Sequence, residues 1–413
     1  MAEQMVEAFR DSNSQDKSEP MDRSIFFSVG EPSGDLHASK LITELRNHLP
    51  DYQVCGFGGP LMRQAGCRLD YELTNLAVVG IVEVLPKLRE FFRVADLAEE
   101  EFRKGKTKAV VLVDFPGFNF HIAKRAKKYG IPVYYYLPPQ LWAWAGWRIR
   151  KIRRWVDHVL CNLPFEPAWY QQRGVKVQDV GHPFFDEVAQ RELDRTFLTT
   201  YRQQQGLKVA ILPGSRGHEV SRNWPVQLEV IRRLHRQYPE IRFLVAAYRE
   251  KQREWCQREM KESDRALPID FYVGKTSEII EVSDFALMVS GSVSLELMAR
   301  GTPALVIYRP SRLTYVIGKS LASCRYISLP NLIADKEIMH EMISVGSPEK
   351  AISALVEQSR KLIEDSSYRS AKKQELLDLN ARFAQPGATI KAATFIAQTI
   401  KQHESMQAVE KAA

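Results

Sequence analysis

Residues 208–220 read Lys208-Val209-Ala210-Ile211-Leu212-Pro213-Gly214-Ser215-Arg216-Gly217-His218-Glu219-Val220. A short apolar, β-rich run, Lys208–Leu212, passes through a Pro/Gly/Ser turn toward a segment with helical spacing, Pro225–Gln237, which is how a β–α unit opens. It follows a polar stretch, Gln190 to Gln205, so it begins a second series. That series continues with strand candidates at Arg242–Ala246, Ile269–Tyr272, Phe285–Val289 and Ala304–Ile307. Upstream the same alternation runs through Ile25–Val29, Gln53–Phe57, Ala109–Val113, Val133–Leu137, His158–Cys161 and Lys176–Val180. After Ser347 the chain reads as helix to about Gln402. Alternation at this pitch predicts parallel sheets with helices on both faces. The expected fold class is α/β, with two doubly wound, Rossmann-like domains facing a cleft and closed by C-terminal helices. The expected boundaries are a disordered tail over 1–23, domains over 24–188 and 206–365, and terminal helices over 366–413. Those helices could pack back on the first domain or on a partner chain, in which case the protein is a homodimer. Ligands of such sheets bind beyond the carboxyl ends of the strands, so the strand-to-helix turns carry the functional expectations.

Composition agrees with a soluble globular chain: 413 residues, 45% hydrophobic and 26% charged. The longest plainly apolar run, Leu76–Val82, is far short of the ~20 residues that span a bilayer. Met1–Arg23 is polar, holds six acidic residues and lacks the pattern of a secretory signal. Five scattered cysteines and nine dispersed histidines, with no C-x-x-C and no H-x-x-x-H, suggest a reducing cytoplasm and neither a disulfide framework nor a bound metal.

Six stretches could carry chemistry. In Val29-Gly30-Glu31-Pro32-Ser33-Gly34-Asp35 the glycines permit a tight turn, and the following helix could present backbone N–H groups to an anion or a sugar hydroxyl. Ser33 or Asp35 could equally be a plain helix cap. In Asp114-Phe115-Pro116-Gly117-Phe118-Asn119, Asp114 stands at a strand end, where it could take a proton from an attacking hydroxyl or cap the next helix. Gly214, Ser215 and Arg216 form a turn suited to a diphosphate: glycine lets the backbone approach, Ser215 can cap, and Arg216 offers a bidentate fork. In Ser290-Gly291-Ser292-Val293-Ser294-Leu295-Glu296 a small-residue turn opens a helix, and Glu296 could accept two ribose hydroxyls or be a surface carboxylate. Residues 142–155 hold four of the seven tryptophans (Trp142, Trp144, Trp147, Trp155) together with Arg148, Arg150, Lys151, Arg153 and Arg154. That composition suits an anionic membrane surface, single-stranded nucleic acid, or a tryptophan core beneath a solvated basic face. The apolar run with Val79, Ile81, Val82 and Leu85 could be a buried strand and helix or a surface that accepts acyl chains.

Taken in order, these motifs resemble the lipid-A-disaccharide synthase family, glycosyltransferases of the GT-B type. The resemblance covers roughly Ser24 to Arg382. It rests on G-E-P-S-G-D at Gly30–Asp35, G-I-V-E-V-L at Gly80–Leu85, D-F-P-G-F-N at Asp114–Asn119, P-P-Q-L-W-A-W at Pro138–Trp144, L-P-F-E at Leu163–Glu166, G-H-P at Gly181–Pro183, L-P-G-S-R-G-H-E-V at Leu212–Val220, S-G-S-V-S-L-E at Ser290–Glu296 and S-L-P-N-L at Ser328–Leu332. It implies transfer of 2,3-diacylglucosamine from UDP to the 6-hydroxyl of 2,3-diacylglucosamine 1-phosphate (lipid X), giving the β-1,6-linked disaccharide 1-phosphate. It also implies inversion, no cofactor or metal, and a peripheral place on the cytoplasmic face of the inner membrane. The first domain becomes the acceptor and lipid side, the second the UDP side. By motif position, Asp114 is the base and Arg216 stabilises the leaving diphosphate with the helix starts at Ser215 and Ser292. Glu296 holds the ribose, Asn331 lines the nucleotide side with Gly214 and Gly291, and Glu31, Ser33, Gly34 and Asp35 line the sugar side. Phe115 and Gly117 depart from the D-A-P-D-F-N of many relatives, so a second acid beside Asp114 is missing.

Rival readings are another GT-B UDP-sugar enzyme, either a soluble transferase or an epimerase, and a nucleic-acid-binding or lipid-carrier protein. The net charge of +8 is concentrated rather than general: residues 115–156 contain nine Lys or Arg and no Asp or Glu. One basic patch beside tryptophans favours an anionic membrane over nucleic acid.

Overall fold

In the computed structural model, which describes residues 22–74, 88–312, 315–316, 318 and 324–412, two parallel sheets account for the alternation read above. The first has seven strands: β1 Ser24–Val29, β2 Gln53–Phe57, β3 Arg68–Tyr71, β4 Thr107–Val113, β5 Val133–Tyr136, β6 His158–Cys161 and β7 Val177–Asp179, in the order β3-β2-β1-β4-β5-β6-β7. The second has six: β8 Lys208–Leu212, β9 Arg242–Ala247, β10 Ile269–Val273, β11 Phe285–Val289, β12 Ala304–Tyr308 and β13 His340–Ile343, in the order β10-β9-β8-β11-β12-β13.

The central strands are continuous apolar runs because both faces of the first sheet are covered. Their residues alternate between two cores. Phe26, Val110 and Leu112 pack with Phe91, Val94 and Phe118, while Ile25, Phe27, Ala109 and Val111 pack with Ala38, Leu41 and Leu45. In the second sheet Val209, Ile211, Phe243, Val245, Phe285 and Leu287 join Trp224, Val230 and Leu355 in a third core. Each large side chain so buried contributes about 1.5–3 kcal/mol. Two strands go beyond the sequence reading, β3 and β13. Both are edge strands, and only one of their eight residues is fully buried, so neither shows an apolar run.

The chain divides into two compact units. One runs to Asp186 and also takes in Pro386 onward; the other is Glu187–Gln385. The reading that grouped 366–413 is therefore split. Helix Ser366–Phe383 belongs to the second unit, and only helix Ala388–Ala412 returns to the first. That last helix lays Ala392, Ala393, Ile396, Ala397 and Ile400 against helix Pro32–His48, the alanines permitting close approach. Its start is held by Asp186, whose carboxylate accepts the N–H groups of Gly387 at 2.5 Å, Ala388 at 3.3 Å and Thr389 at 3.0 Å, and the Thr389 hydroxyl at 3.0 Å. Among the described residues no helix is long and apolar enough to cross a membrane.

Candidate active site

In each sheet the strand order reverses direction once, between β1 and β4 in the first and between β8 and β11 in the second. Such switch points open a crevice at the carboxyl ends of the strands. The turn after β1 carries Gly30–Asp35 and the turn after β4 begins at Asp114, so the first switch point brings two of the candidate motifs together.

Their contact is close. A Cβ on Gly30 would stand 2.3 Å from the Phe115 ring, so only glycine fits, and a Cβ on Gly34 would stand 3.4 Å from Asp114 Oδ2. Asp114 and Phe115 both have left-handed backbone, with φ of 47° and 44°. Two consecutive non-glycine residues in that region carry strain that the surroundings must hold. Buried Asn119 does so: its amide donates to the carbonyls of Asp114 at 2.8 Å, Val113 at 3.1 Å and Ser28 at 3.2 Å, and its oxygen accepts from the Ser28 hydroxyl at 2.7 Å. The Tyr135 hydroxyl donates to the Asp114 carbonyl at 2.7 Å. Asn119 closes the motif at Asp114–Asn119 but, like Tyr135, has no role assigned from sequence; a polar residue on the buried face of helix Pro116–Lys128 is the available signal.

The helix-cap alternative for Asp114 does not hold. Phe115 is the N-cap of that helix, and no side chain caps it. The Asp114 carboxyl is half-buried, and its pKa is raised to about 7, first by loss of water and then by the charge of Glu31. A carboxyl poised near neutrality can exist as a base and still accept a proton.

The other residues of the first turn divide. Glu31 is half-buried at the N-cap of helix Pro32–His48, and Ser33 is exposed in its first turn; no side chain caps this helix. Asp35 faces elsewhere. Its buried carboxylate accepts the N–H groups of Gly59, Leu61 and Met62, each at 3.0 Å, and thereby caps helix Pro60–Gln64. Asp35 thus has a structural role, with three of its acceptor positions taken by backbone N–H groups.

At the second switch point Gly214 has φ of 116°, which favours glycine. Ser215 and Arg216 are exposed ahead of helix Gly217–Gln237. Ser215 does not cap this helix; Glu219 and Arg216 form the capping interaction. Gly291 and Ser292 are exposed after β11, Ser292 being the N-cap of helix Val293–Arg300. Buried Gln227, missed in the sequence, donates to the carbonyls of Leu212 at 3.3 Å and Leu287 at 3.2 Å and so ties β8 to β11.

Glu296 is not a surface carboxylate. It is buried, and its Oε1 accepts from Arg300 Nε at 3.1 Å, with Arg300 Nη2 an ion-pair contact at the same distance. Asn331 is fully buried and saturated: it donates to Met339 O at 2.7 Å and Glu341 Oε1 at 2.8 Å, and accepts from the N–H groups of Ile338 and Met339 at 2.8 Å. It clamps the 327–341 segment rather than offering its amide to a ligand. Glu341 shares that duty through the N–H groups of Ile327 and Ser328, and the Ser290 hydroxyl reaches Ile327 O at 2.6 Å.

The tryptophan–arginine stretch also divides. Trp142 is buried; its indole N–H donates to fully buried Glu166 at 2.9 Å, and its ring meets Phe165 edge-on. Burial pushes the Glu166 carboxyl up to about 7 against the pull of Trp142 and two backbone N–H groups. Trp142 is therefore removed from the candidate membrane surface. Trp144 and Trp147 are 47% and 59% exposed, with the Arg148 guanidinium 5.4 Å from the Trp144 ring centroid. Arg150, Lys151, Arg153 and Arg154 are exposed on and around helix Ile149–Trp155. Val79, Ile81, Val82 and Leu85 lie outside the described residues.

A family model described as lipid-A-disaccharide synthetase matches residues 25–397, which span both sheets and both switch points. This chain belongs to the lipid-A-disaccharide synthetase family. It is 35% identical over 378 residues to the lipid-A-disaccharide synthase of Syntrophus aciditrophicus (strain SB), covering 91% of this chain and 97% of that protein. It is 32% identical over 378 residues to the synthase of Myxococcus xanthus (strain DK1622), covering 90% and 96%. Among solved structures it resembles the UDP-GlcNAc 2-epimerase from Neisseria meningitidis bound to UDP-GlcNAc, with TM-score 0.62, 14% identity and coverage of 92% and 100%. It also resembles Medicago truncatula UGT71G1 complexed with UDP-glucose, with TM-score 0.59, 16% identity and coverage of 92% and 98%. At such identities the structural likeness establishes the fold alone, and the fold class is GT-B. As a member of the synthetase family the chain is a glycosyltransferase of lipid A biosynthesis.

Proposed function

We propose that this family member joins UDP-2,3-diacylglucosamine to lipid X, forming the β-1,6 lipid A disaccharide 1-phosphate and UDP in one inverting displacement. The acceptor O6 bonds to the donor anomeric carbon while the bond from that carbon to the diphosphate oxygen breaks. The O6 proton passes to Asp114. The observation that carries this reading is the Asp114 carboxyl, poised near neutrality on a strained turn at the β1/β4 switch point. A base of about that pKa can accept a proton at neutral pH without a second acid.

The leaving diphosphate takes the Arg216 guanidinium and the N–H groups at Ser215 and Ser292, the N-termini of two helices. Gly214 and Gly291 let it approach, and Glu296, oriented by Arg300, takes the ribose. Glu31, Ser33 and Gly34 line the sugar beside Asp114. Trp144, Trp147, Arg148, Arg150, Arg153 and Arg154 face the anionic cytoplasmic leaflet of the inner membrane and the lipid phosphate. The test supplies acylated and unacylated UDP-sugars with lipid X to wild type and D114N, and measures UDP release. The expected result is release only with the acylated donor, and loss of roughly 10²–10⁴ in kcat for D114N with UDP still bound. Turnover of an unacylated UDP-sugar instead would favour the soluble-enzyme reading, and wild-type turnover by D114N would remove Asp114 as the base.

A further inference from the structure

The turn at Gly214–Arg216 already holds a carboxylate of its own chain. Glu219, one helical turn on, points back into it. Its Oε2 accepts the N–H groups of Ser215 and Arg216, each at 3.2 Å, and its Oε1 accepts from Arg216 Nη1 at 3.3 Å. The Glu219 side chain is 18% exposed against 64% for Arg216, so the carboxylate lies inside the turn and the guanidinium outside it. The fit is tight, since a Cβ on Gly214 would stand 2.8 Å from Glu219 Cβ.

The Ser215 N–H and this guanidinium are among the donors assigned above to the leaving diphosphate, and the Arg216 N–H stands beside them. A backbone N–H serves one good acceptor at a time, so the diphosphate and Glu219 compete for them. We infer that Glu219 is a positioning residue that stands in for the diphosphate while the turn is without nucleotide and returns to the same donors as UDP leaves. The inference rests on the reading of this turn as the diphosphate site. It has two consequences. The donors stay gathered around one point and need no rearrangement before the reaction. The displaced carboxylate, still within one helical turn of the diphosphate, repels it, which weakens UDP binding and speeds product release.

The test titrates UDP by calorimetry into wild type, E219Q, E219D and R216A, and measures product inhibition by UDP during transfer. E219Q keeps the acceptor but loses the charge, and should bind UDP several-fold to roughly tenfold more tightly, with a lower inhibition constant and a lower kcat. The gain should shrink at high salt, as a charge effect must. E219D keeps the charge on a shorter stem that reaches the turn less well, so it should fall between wild type and E219Q, and it supplies the comparison if E219Q does not fold. Folded variants with UDP affinity and inhibition equal to or weaker than wild type would show that Glu219 is a helix cap only. Failure of the underlying reading looks different: R216A, or the wild type itself, would show that UDP does not depend on this turn, whatever the Glu219 variants do.

Discussion

In the proposed mechanism Asp114 sets function against stability within a single residue. Its carboxyl is held well above the ordinary range by lost hydration and by Glu31. The folded chain thus favours the protonated form, and the sign follows from linkage. The contribution of Asp114 to stability is greatest below the ordinary aspartate pKa of roughly 4 and falls as pH rises toward the folded value near 7. D114N, which carries no charge, should therefore raise Tm by a few degrees at pH 8, by less at pH 5 and hardly at all below about pH 4, while kcat falls as stated above. A D114N protein less stable than wild type at pH 8 would contradict the burial argument. The wild-type kcat/KM should rise with pH through about 7, and no such limb should remain in D114N. Asn119 acts one step removed, through the backbone. N119A deletes four hydrogen bonds at 2.7–3.2 Å around the left-handed turn. Leaving buried partners unsatisfied costs roughly 1–3 kcal/mol for each, so N119A should lower both Tm and kcat, whereas D114N lowers only kcat.

At the scale of elements, the short turns and helices work as clamps whose partners come from far along the chain. Asp35 holds helix Pro60–Gln64, Asp186 holds helix Ala388–Ala412, and Glu166 holds Trp142. The Asp186 clamp has a direct test. D186A removes acceptors from three N–H groups and a hydroxyl at the start of the last helix. Loss of a cap costs about 0.5–2 kcal/mol, and the apolar seam along Ala392, Ala393 and Ile396 remains. Amide exchange should accordingly quicken at residues 387–392 and spare 396–400. Uniform loss of protection along the whole helix would show that the cap, not the seam, holds it.

Across the whole molecule, folding redistributes charge. Nine basic residues between 115 and 156 have no acid beside them in sequence. In the fold, Arg125 pairs with Asp96 and Glu99, Lys127 with Asp157, and Lys128 with Glu99. Among the described residues Lys124, Arg148, Arg150, Lys151, Arg153 and Arg154 have no acidic partner, and all but Lys124 follow exposed Trp144 and Trp147 closely in the chain. The surface left for an anionic partner is therefore narrower than the linear charge window. Replacing Arg148, Arg150, Arg153 and Arg154 by Gln should reduce sedimentation with anionic vesicles and raise KM for lipid X. Replacing Lys127 and Lys128 should change neither appreciably. Equal effects from both sets would mean that bulk charge rather than this surface matters.

The two sheets were legible from composition because a strand covered on both faces must be apolar throughout; β2, β6, β8 and β11 have the limits expected of them. Edge strands β3 and β13 escaped, since one-sided burial leaves Arg68-Leu69-Asp70-Tyr71 and His340-Glu341-Met342-Ile343 too polar to stand out. The turns that carry Asp114, Arg216 and Ser292 could also be read locally, because glycine, proline and serine at a strand end are local chemistry. What each polar side chain does there could not. Asp35 and Asn331 matched motif positions, yet their atoms are taken up by backbone groups of residues 59–62 and 338–339. Trp142 looked like its exposed neighbours until buried Glu166 claimed it. Periodicity and turn chemistry depend on neighbours in the chain, so they determine elements and their order. Hydrogen-bond partners, desolvation and charge pairing depend on which distant groups folding brings together, and only the tertiary structure separates side chains that hold the turns from those left open beside them.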